Sequence, residues 1–240
     1  MTESCKVFTT ETVKRLLKDV RQIIRHPLTD NGIYYSHNDS DMTEGYAMII
    51  GPSDTPYFGG YYFFKFKYPF DYPFSPPTVT YMTNDGMTRF NPNLYKCGKV
   101  CVSILNTWSG DKWSSCQTIN SILLTLCSLL NDSPLENEPG QRKTSKDFIP
   151  YQKSIEFKNI DFAICDMILQ NKIPEPFKIF YPFIKEQFIC NYDKLLTYVQ
   201  SKTTKESIEY VSLYNMTVRI NYTDLENKLI ETKLVIDSQK

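Results

Sequence analysis

Residues 61–77 read Tyr-Tyr-Phe-Phe-Lys-Phe-Lys-Tyr-Pro-Phe-Asp-Tyr-Pro-Phe-Ser-Pro-Pro, and their reading decides the fold. Aromatic residues favour extended chain, and Lys65 and Lys67 alternate with Phe64 and Phe66. That period of two predicts a strand with one wet face and one dry face. Pro69, Pro73, Pro76 and Pro77 follow, each fixing its own φ and pushing its predecessor toward extended geometry. The loop they make is stiff. Phe70 and Phe74 on it either roof the sheet or stand at the surface as contacts of low entropic cost.

Working upstream, residues 33–35 and 46–50 are also strand-like, and residues 78–82 continue the pattern downstream. Asn38-Asp39-Ser40-Asp41, residues 51–56 and Gly59-Gly60 supply turns between them. Connections this short predict an antiparallel meander, because parallel neighbours need long crossovers. Before the strands, Val13, Leu16, Leu17, Val20, Ile23 and Ile24 repeat at helical steps and predict an amphipathic helix over 11–25. Thr9 or Thr10 caps it, and His26-Pro27 stops it. Lys14, Lys18, Arg21 and Arg25 form a cationic stripe on another side of that helix. Alone, such a stripe reads as an ordinary solvated face.

Residues 84–113 lack a long regular element but carry Cys97, Cys101, Trp108 and Trp113, too aromatic for disorder. A second amphipathic helix is expected over 116–130, with Ser114 and Gln117 as its capping box. Helical patterns resume near 145–171 and 175–200. Residues 208–222 read as a strand, and Thr223 with Glu226 opens a short last helix.

The 240 residues include 27 Lys+Arg and 27 Asp+Glu. A neutral balance argues against nucleic acid as a partner, since phosphate neutralisation needs basic excess. No apolar run suits a membrane span and the first residues lack a signal-peptide pattern, so no membrane partner is expected. The seven cysteines are too sparse for a disulfide scaffold. Reduced thiols and a cytoplasmic location, with the nucleus also open, are the expectation.

The chemistry open to these residues is narrow. Gly98-Lys99 lacks the remainder of a phosphate loop, and the two histidines, His26 and His37, fall in no nucleophile motif. Cys97, Cys101 and Cys116 lack a fourth ligand at zinc spacing, so no metal is expected. A cysteine nucleophile without a histidine base remains. Exchange of one thioester for another suits it, because a thiolate attacks and a thiolate leaves. Composition and spacing do not choose between Cys97 and Cys101.

The chain resembles the ubiquitin-conjugating enzymes over about residues 10–170. The likeness rests on the first helix, Gly51-Pro52 with Thr55-Pro56-Tyr57 and Gly59-Gly60, and Tyr72-Pro73-Phe74 with Pro76-Pro77. It continues through Asn91-Pro92-Asn93, residues 98–105 and Trp113-Ser114. In that family the active cysteine lies eight residues beyond the Asn of a His-Pro-Asn motif, which here is Cys101. Several features depart from the pattern. Asn91 replaces the usual His, Ser103 stands at a position that is commonly Asp, and Ser115-Cys116 replace Pro-Ala. The cysteine-to-Trp113 interval is four residues longer than usual, with Trp108-Ser109-Gly110 in the insertion. Together with Glu138-Pro139-Gly140 and a long C-terminal extension, these resemble the large Z-like subclass of the family.

The resemblance implies an α+β ubiquitin-conjugating fold: N-terminal helix, four-stranded antiparallel meander, active-site loop and C-terminal helices. It implies a core domain over 1–170, with 171–240 a mostly helical extension of open role. It also implies that Cys101 accepts ubiquitin as a thioester from an activating enzyme and passes it to a substrate lysine, usually with a ligase. ATP is consumed by the activating enzyme, and this chain needs no cofactor. Asn93 is the implied oxyanion donor, Asp132 and Ser133 form the gate for the incoming lysine, and Ser103 flanks the cysteine. Asn91 and Pro92 support the motif. Lys14, Lys18 and Arg21 would dock the activating enzyme. Phe74, Ser115 and Cys116 would contact the ligase. Transfer of another ubiquitin-like modifier, or a non-catalytic ubiquitin-binding module on the same fold, are the competing readings.

Overall fold

A computed structural model describes residues 8–169 and 171–239. Cys5, one of the seven cysteines, lies outside the described residues. The first helix, α1, spans Thr10–Arg25, and the Thr9 side chain caps it by accepting the Thr12 N–H. Leu16, Val20 and Ile23 are buried, but Leu17 and Ile24 are exposed, so the buried face is narrower than the sequence suggested. Thr12 and Asp19 take the remaining inward positions. Thr12 donates to the Phe70 carbonyl at 3.2 Å, and Asp19 accepts from Tyr72 at 2.5 Å. Buried polar groups persist where they are paired in this way.

The strands are β1 (Ile33–His37), β2 (Glu44–Ile50), β3 (Tyr61–Lys67) and β4 (Thr78–Tyr81), in the order β1-β2-β3-β4 and all antiparallel. The meander is therefore as expected. Gly60 lies where β3 meets a later helical stretch: a Cβ there would sit 1.9 Å from Asn159 Oδ1. Only a bare Cα lets the two approach so closely.

The wet-and-dry reading of β3 holds only at its end. Tyr61, Phe63, Lys65 and Lys67 share one face. Lys65 and Lys67 pair with Glu44 and Asp41, whereas Tyr61 and Phe63 are fully buried. The cause is the C-terminal third of the chain. Phe177 sits 5.0 Å from the Phe63 ring and 5.4 Å from Tyr46, and Tyr61 donates to the Ile184 carbonyl at 3.1 Å. Both faces of that half of the sheet are thus dry.

The second helix, α2, runs from Ile119 to Leu129 and starts later than expected. Its capping box is Thr118 with Ser121. The Ser114–Gln117 pair instead closes a turn ahead of the helix, Ser114 N–H donating to Gln117 Oε1 at 3.0 Å. Next come α3 (Phe148–Lys158), a π-helical stretch Asn159–Asp166 and α4 (Met167–Leu169). Long π-helical runs are rare. Here the stretch is held from several sides. Asn159 accepts from Tyr62 and donates to the Phe58 carbonyl, while Asp161 and Asp166 both pair with Lys228.

A 3-10 stretch Glu175–Phe180 leads into α5 (Tyr181–Gln200). Residues 208–222, expected as one strand, form a hairpin of β5 (Glu206–Val211) and β6 (Met216–Asn221). The chain reverses at Asn215 in left-handed geometry (φ 45), a conformation asparagine tolerates better than most residues. The last helix, α6 (Tyr222–Ser238), is long rather than short, and its cap is Asn221 rather than Thr223. Asp147 anchors the hairpin, accepting N–H bonds from Ser212 and Leu213 at 2.9 and 3.0 Å.

Candidate active site

The site begins at a buried amide. Asn91 Nδ2 donates to Tyr57 Oη at 2.9 Å and to the Leu129 carbonyl at 2.8 Å, while Oδ1 accepts the Asn93 N–H at 3.0 Å. Both ends of the side chain are used, as a fully buried amide requires. Asn91 therefore ties the turn to β3's preceding loop and to the end of α2. Asn137 Nδ2 also donates to the Leu129 carbonyl, at 3.0 Å, so the turn and the segment after α2 share that acceptor. In that segment Asp132 is exposed and Ser133 is buried.

Asn93 grips Cys101 from both sides of its backbone. The Cys101 N–H donates to the Asn93 carbonyl at 2.9 Å, and Asn93 Nδ2 donates to the Cys101 carbonyl at 2.7 Å. That second contact fixes which end of the amide is nitrogen, because an oxygen there would face an oxygen. Asn93 Oδ1 is left buried without a partner.

Arg89 was not picked out by sequence reasoning. Its guanidinium donates to the carbonyls of Asn91 and Pro92 and stacks 3.4 Å from the Tyr95 ring centre. The available signal was a lone arginine just ahead of the Asn-Pro-Asn turn. Arg15 was also passed over. It donates to the carbonyls of Ser115 and Gln117 at 2.5 and 2.6 Å, which fastens α1 to the Ser115–Cys116 loop.

Cys101 is only 3% exposed. Its Sγ–H donates to the Thr107 carbonyl at 2.9 Å, and Thr107 lies just ahead of Trp108-Ser109-Gly110. Ser103 opens the short 3-10 turn Ser103–Leu105 beside it. Cys97, by contrast, is exposed.

The other predicted residues lie on two surfaces. Lys14, Lys18 and Arg21 are exposed on α1. Phe74 is 77% exposed, and Ser115 and Cys116 are exposed on a neighbouring loop. Trp113 joins these two loops: its Nε1–H donates to the Pro73 carbonyl at 2.7 Å and its ring packs 6.0 Å from Tyr72. Among the described residues no group of three His, Cys, Asp or Glu side chains is placed to hold a metal ion. No helix there is long and apolar enough to cross a membrane.

A meander flanked by α1 and α2, with a cysteine gripped by an Asn-Pro-Asn turn, defines a class, and comparison with known proteins agrees. The family model described as ubiquitin-conjugating enzyme matches residues 15–161, and the chain belongs to that family. Among its relatives, the chain is 43% identical over 165 residues to ubiquitin-conjugating enzyme E2 Z of Homo sapiens, covering 68% of this chain and 46% of that protein. Over 186 residues it is 39% identical to the Danio rerio protein of the same name, covering 76% and 56%. With the Xenopus tropicalis protein the identity is 42% over 161 residues, covering 66% and 51%. The chain thus spans about half the length of the curated relatives it matches.

Proposed function

We propose that this chain accepts ubiquitin from an activating enzyme as a thioester on Cys101 and transfers it to a substrate lysine, usually with a ligase. The observation that carries the reading is the double grip of Asn93 on the backbone of Cys101, at 2.9 and 2.7 Å. Such a grip fixes the backbone that carries the sulfur, and an ordered attachment point favours thiol exchange. Attack on the incoming thioester requires no strong base, since one thiolate replaces another. ATP is spent by the activating enzyme.

In the second step a neutral lysine attacks the thioester carbonyl, and negative charge grows on its oxygen. Asn93 Nδ2 carries a second N–H beyond the one given to Cys101, and that N–H is the donor for this oxyanion. The Asp132–Ser133 gate orients the amine, and Ser103 borders its path. On the surface, Lys14, Lys18 and Arg21 dock the activating enzyme, and Phe74 with Ser115 and Cys116 meets the ligase.

A covered sulfur also favours a second reading, a non-catalytic ubiquitin-binding module. One experiment decides between them: charging with purified activating enzymes, ATP and ubiquitin or another ubiquitin-like modifier. A reductant-sensitive adduct that survives Cys97→Ala and disappears in Cys101→Ala supports the thioester reading. Cys101→Ser is expected to trap a reductant-resistant ester. No adduct with any activating enzyme overturns the reading in favour of the module, and charging by a different modifier alone moves the substrate.

A further inference from the structure

The Thr107 carbonyl lies against the buried Cys101 sulfur, and the segment that carries it, residues 106–111, is held in place by several contacts. Thr107 Oγ1 accepts the Val102 N–H at 2.9 Å and donates to the Val102 carbonyl at 3.0 Å. The Thr107 N–H reaches the same carbonyl at 3.3 Å. Before it, Asn106 turns the chain in left-handed geometry (φ 58), and its Oδ1 accepts the Trp113 N–H at 3.0 Å. After it, Gly110 (φ 124) packs so closely that a Cβ there would lie 3.2 Å from the Ser103 Cβ. The segment is pinned at both ends and in the middle. Its Thr107 carbonyl is thereby aimed at the sulfur, 2.9 Å away.

We propose that Thr107 is a positioning residue that holds this strap over the unacylated Cys101 thiol, and that acylation of the sulfur releases it. The contact exists only while the sulfur carries its proton, because a carbonyl accepts and cannot donate. In thiol exchange the Cys101 S–H bond breaks and an S–C bond to the ubiquitin carbonyl forms. The S–C bond on the activating enzyme breaks, and its sulfur leaves with the proton. An acylated Cys101 has no hydrogen to offer, and its acyl carbon needs space beside the sulfur that the strap now fills. Free and charged protein therefore differ in the conformation of residues 106–111. The holding role stands on the geometry alone; the release step rests on the thioester reading of Cys101.

The test compares iodoacetamide labelling of Cys101 with that of exposed Cys97 in the same molecules, read by mass spectrometry. Native Cys101 is expected to label at least about tenfold more slowly than Cys97. Thr107→Val removes the hydroxyl at nearly constant shape, and is expected to raise the Cys101-to-Cys97 ratio roughly tenfold, the loss of one or two hydrogen bonds. Thr107→Ser keeps the hydroxyl and is expected to label like the native protein. An unchanged melting temperature separates strap opening from unfolding. Equal labelling of the two native cysteines, or an unchanged ratio in Thr107→Val, overturns the holding role.

For release, amide hydrogen exchange over residues 102–113 is compared between protein alkylated only at its exposed cysteines and protein alkylated at Cys101 as well, where S–C replaces S–H. Faster exchange after Cys101 alkylation supports release, and unchanged exchange overturns it. Charging assays on the same variants separate the two readings. If Thr107→Val labels faster but neither protein is charged, the strap stands and the thioester reading falls. If both are charged and labelling is unaltered, the strap falls alone.

Discussion

The side-chain amide nitrogen of Asn93 lies 2.7 Å from the carbonyl oxygen of Cys101, while the Cys101 N–H donates back to the Asn93 carbonyl at 2.9 Å. Asn93 is thus part of the scaffold before it is part of any reaction. Asn93→Ala is expected to cost about 1–2 kcal/mol of stability through the lost bond, seen in urea unfolding. Discharge of ubiquitin to free lysine is expected to slow by roughly 10²-fold, and charging by less than tenfold. Equal losses in both steps would reduce Asn93 to a structural role.

Phe74 stands 77% exposed beside a loop that Trp113 ties to Pro73. An apolar ring so exposed adds little to the core, and Phe74→Ala is expected to leave the melting temperature within a few degrees of native. Under the proposed function the effect is expected in ligase-stimulated transfer, where loss of a central aromatic contact typically costs about 2 kcal/mol or more, some thirtyfold in affinity. Unchanged stimulation by a ligase active on the native protein would make the ring a plain surface residue.

Lys14 and Lys18 lie one helical turn apart on α1, both exposed. Replacing both by Glu is expected to slow charging by roughly tenfold at low salt, with the deficit shrinking as ionic strength rises and screens the encounter. Circular dichroism checks that the helix survives. A deficit of the same size in high salt would point to a local packing change instead.

The meander was legible because each strand is bounded by strong turn residues and dense in aromatic or β-branched side chains. What hid was set by distant chain. Tyr61 and Phe63 lie on the same face as Lys65 and Lys67, and nothing within β3 reveals that Phe177 and Ile184 cover only half of that face. The start of α2 was misplaced because two cap-like pairs sit close together; Thr118 with Ser121 takes the helix and Ser114 with Gln117 takes the turn. In the site, Cys101 and Asn93 were singled out by the family resemblance, through the interval it sets between the Asn of the motif and the cysteine. The contact on the sulfur was not, because it is a backbone carbonyl of Thr107, and a carbonyl leaves no trace in a sequence.

Phe177 is one of the contacts that hold residues 171–239 to the sheet, packing against Phe63 and Tyr46. Phe177→Ala is expected to destabilise the protein by about 3–5 kcal/mol, the usual cost of a large cavity in a core. Limited proteolysis is expected to cut first within 171–180. A loss below about 1 kcal/mol would mean that the extension is held elsewhere.

Lys228 on α6 is that other hold, pairing with Asp161 and Asp166, while Lys158 also reaches Asp161 at 2.8 Å. Burial pushes the Asp161 carboxyl up, but Lys158 and Lys228 outweigh it and hold the group below the usual carboxylate range. A depressed native value means that the unfolded chain takes up this proton first as pH falls. The stabilisation is therefore complete above the ordinary carboxylate range, near pH 4, and is lost as pH drops through the lower native value. Lys228→Met removes one partner of a mostly buried network and is expected to cost about 1–3 kcal/mol at pH 7. The gap between native and variant is expected to narrow as unfolding is repeated from pH 6 down to pH 3, with Asp161 titrating at higher pH in the variant by NMR. A gap that stays constant over that range would show that Lys228 acts through its aliphatic packing rather than its charge.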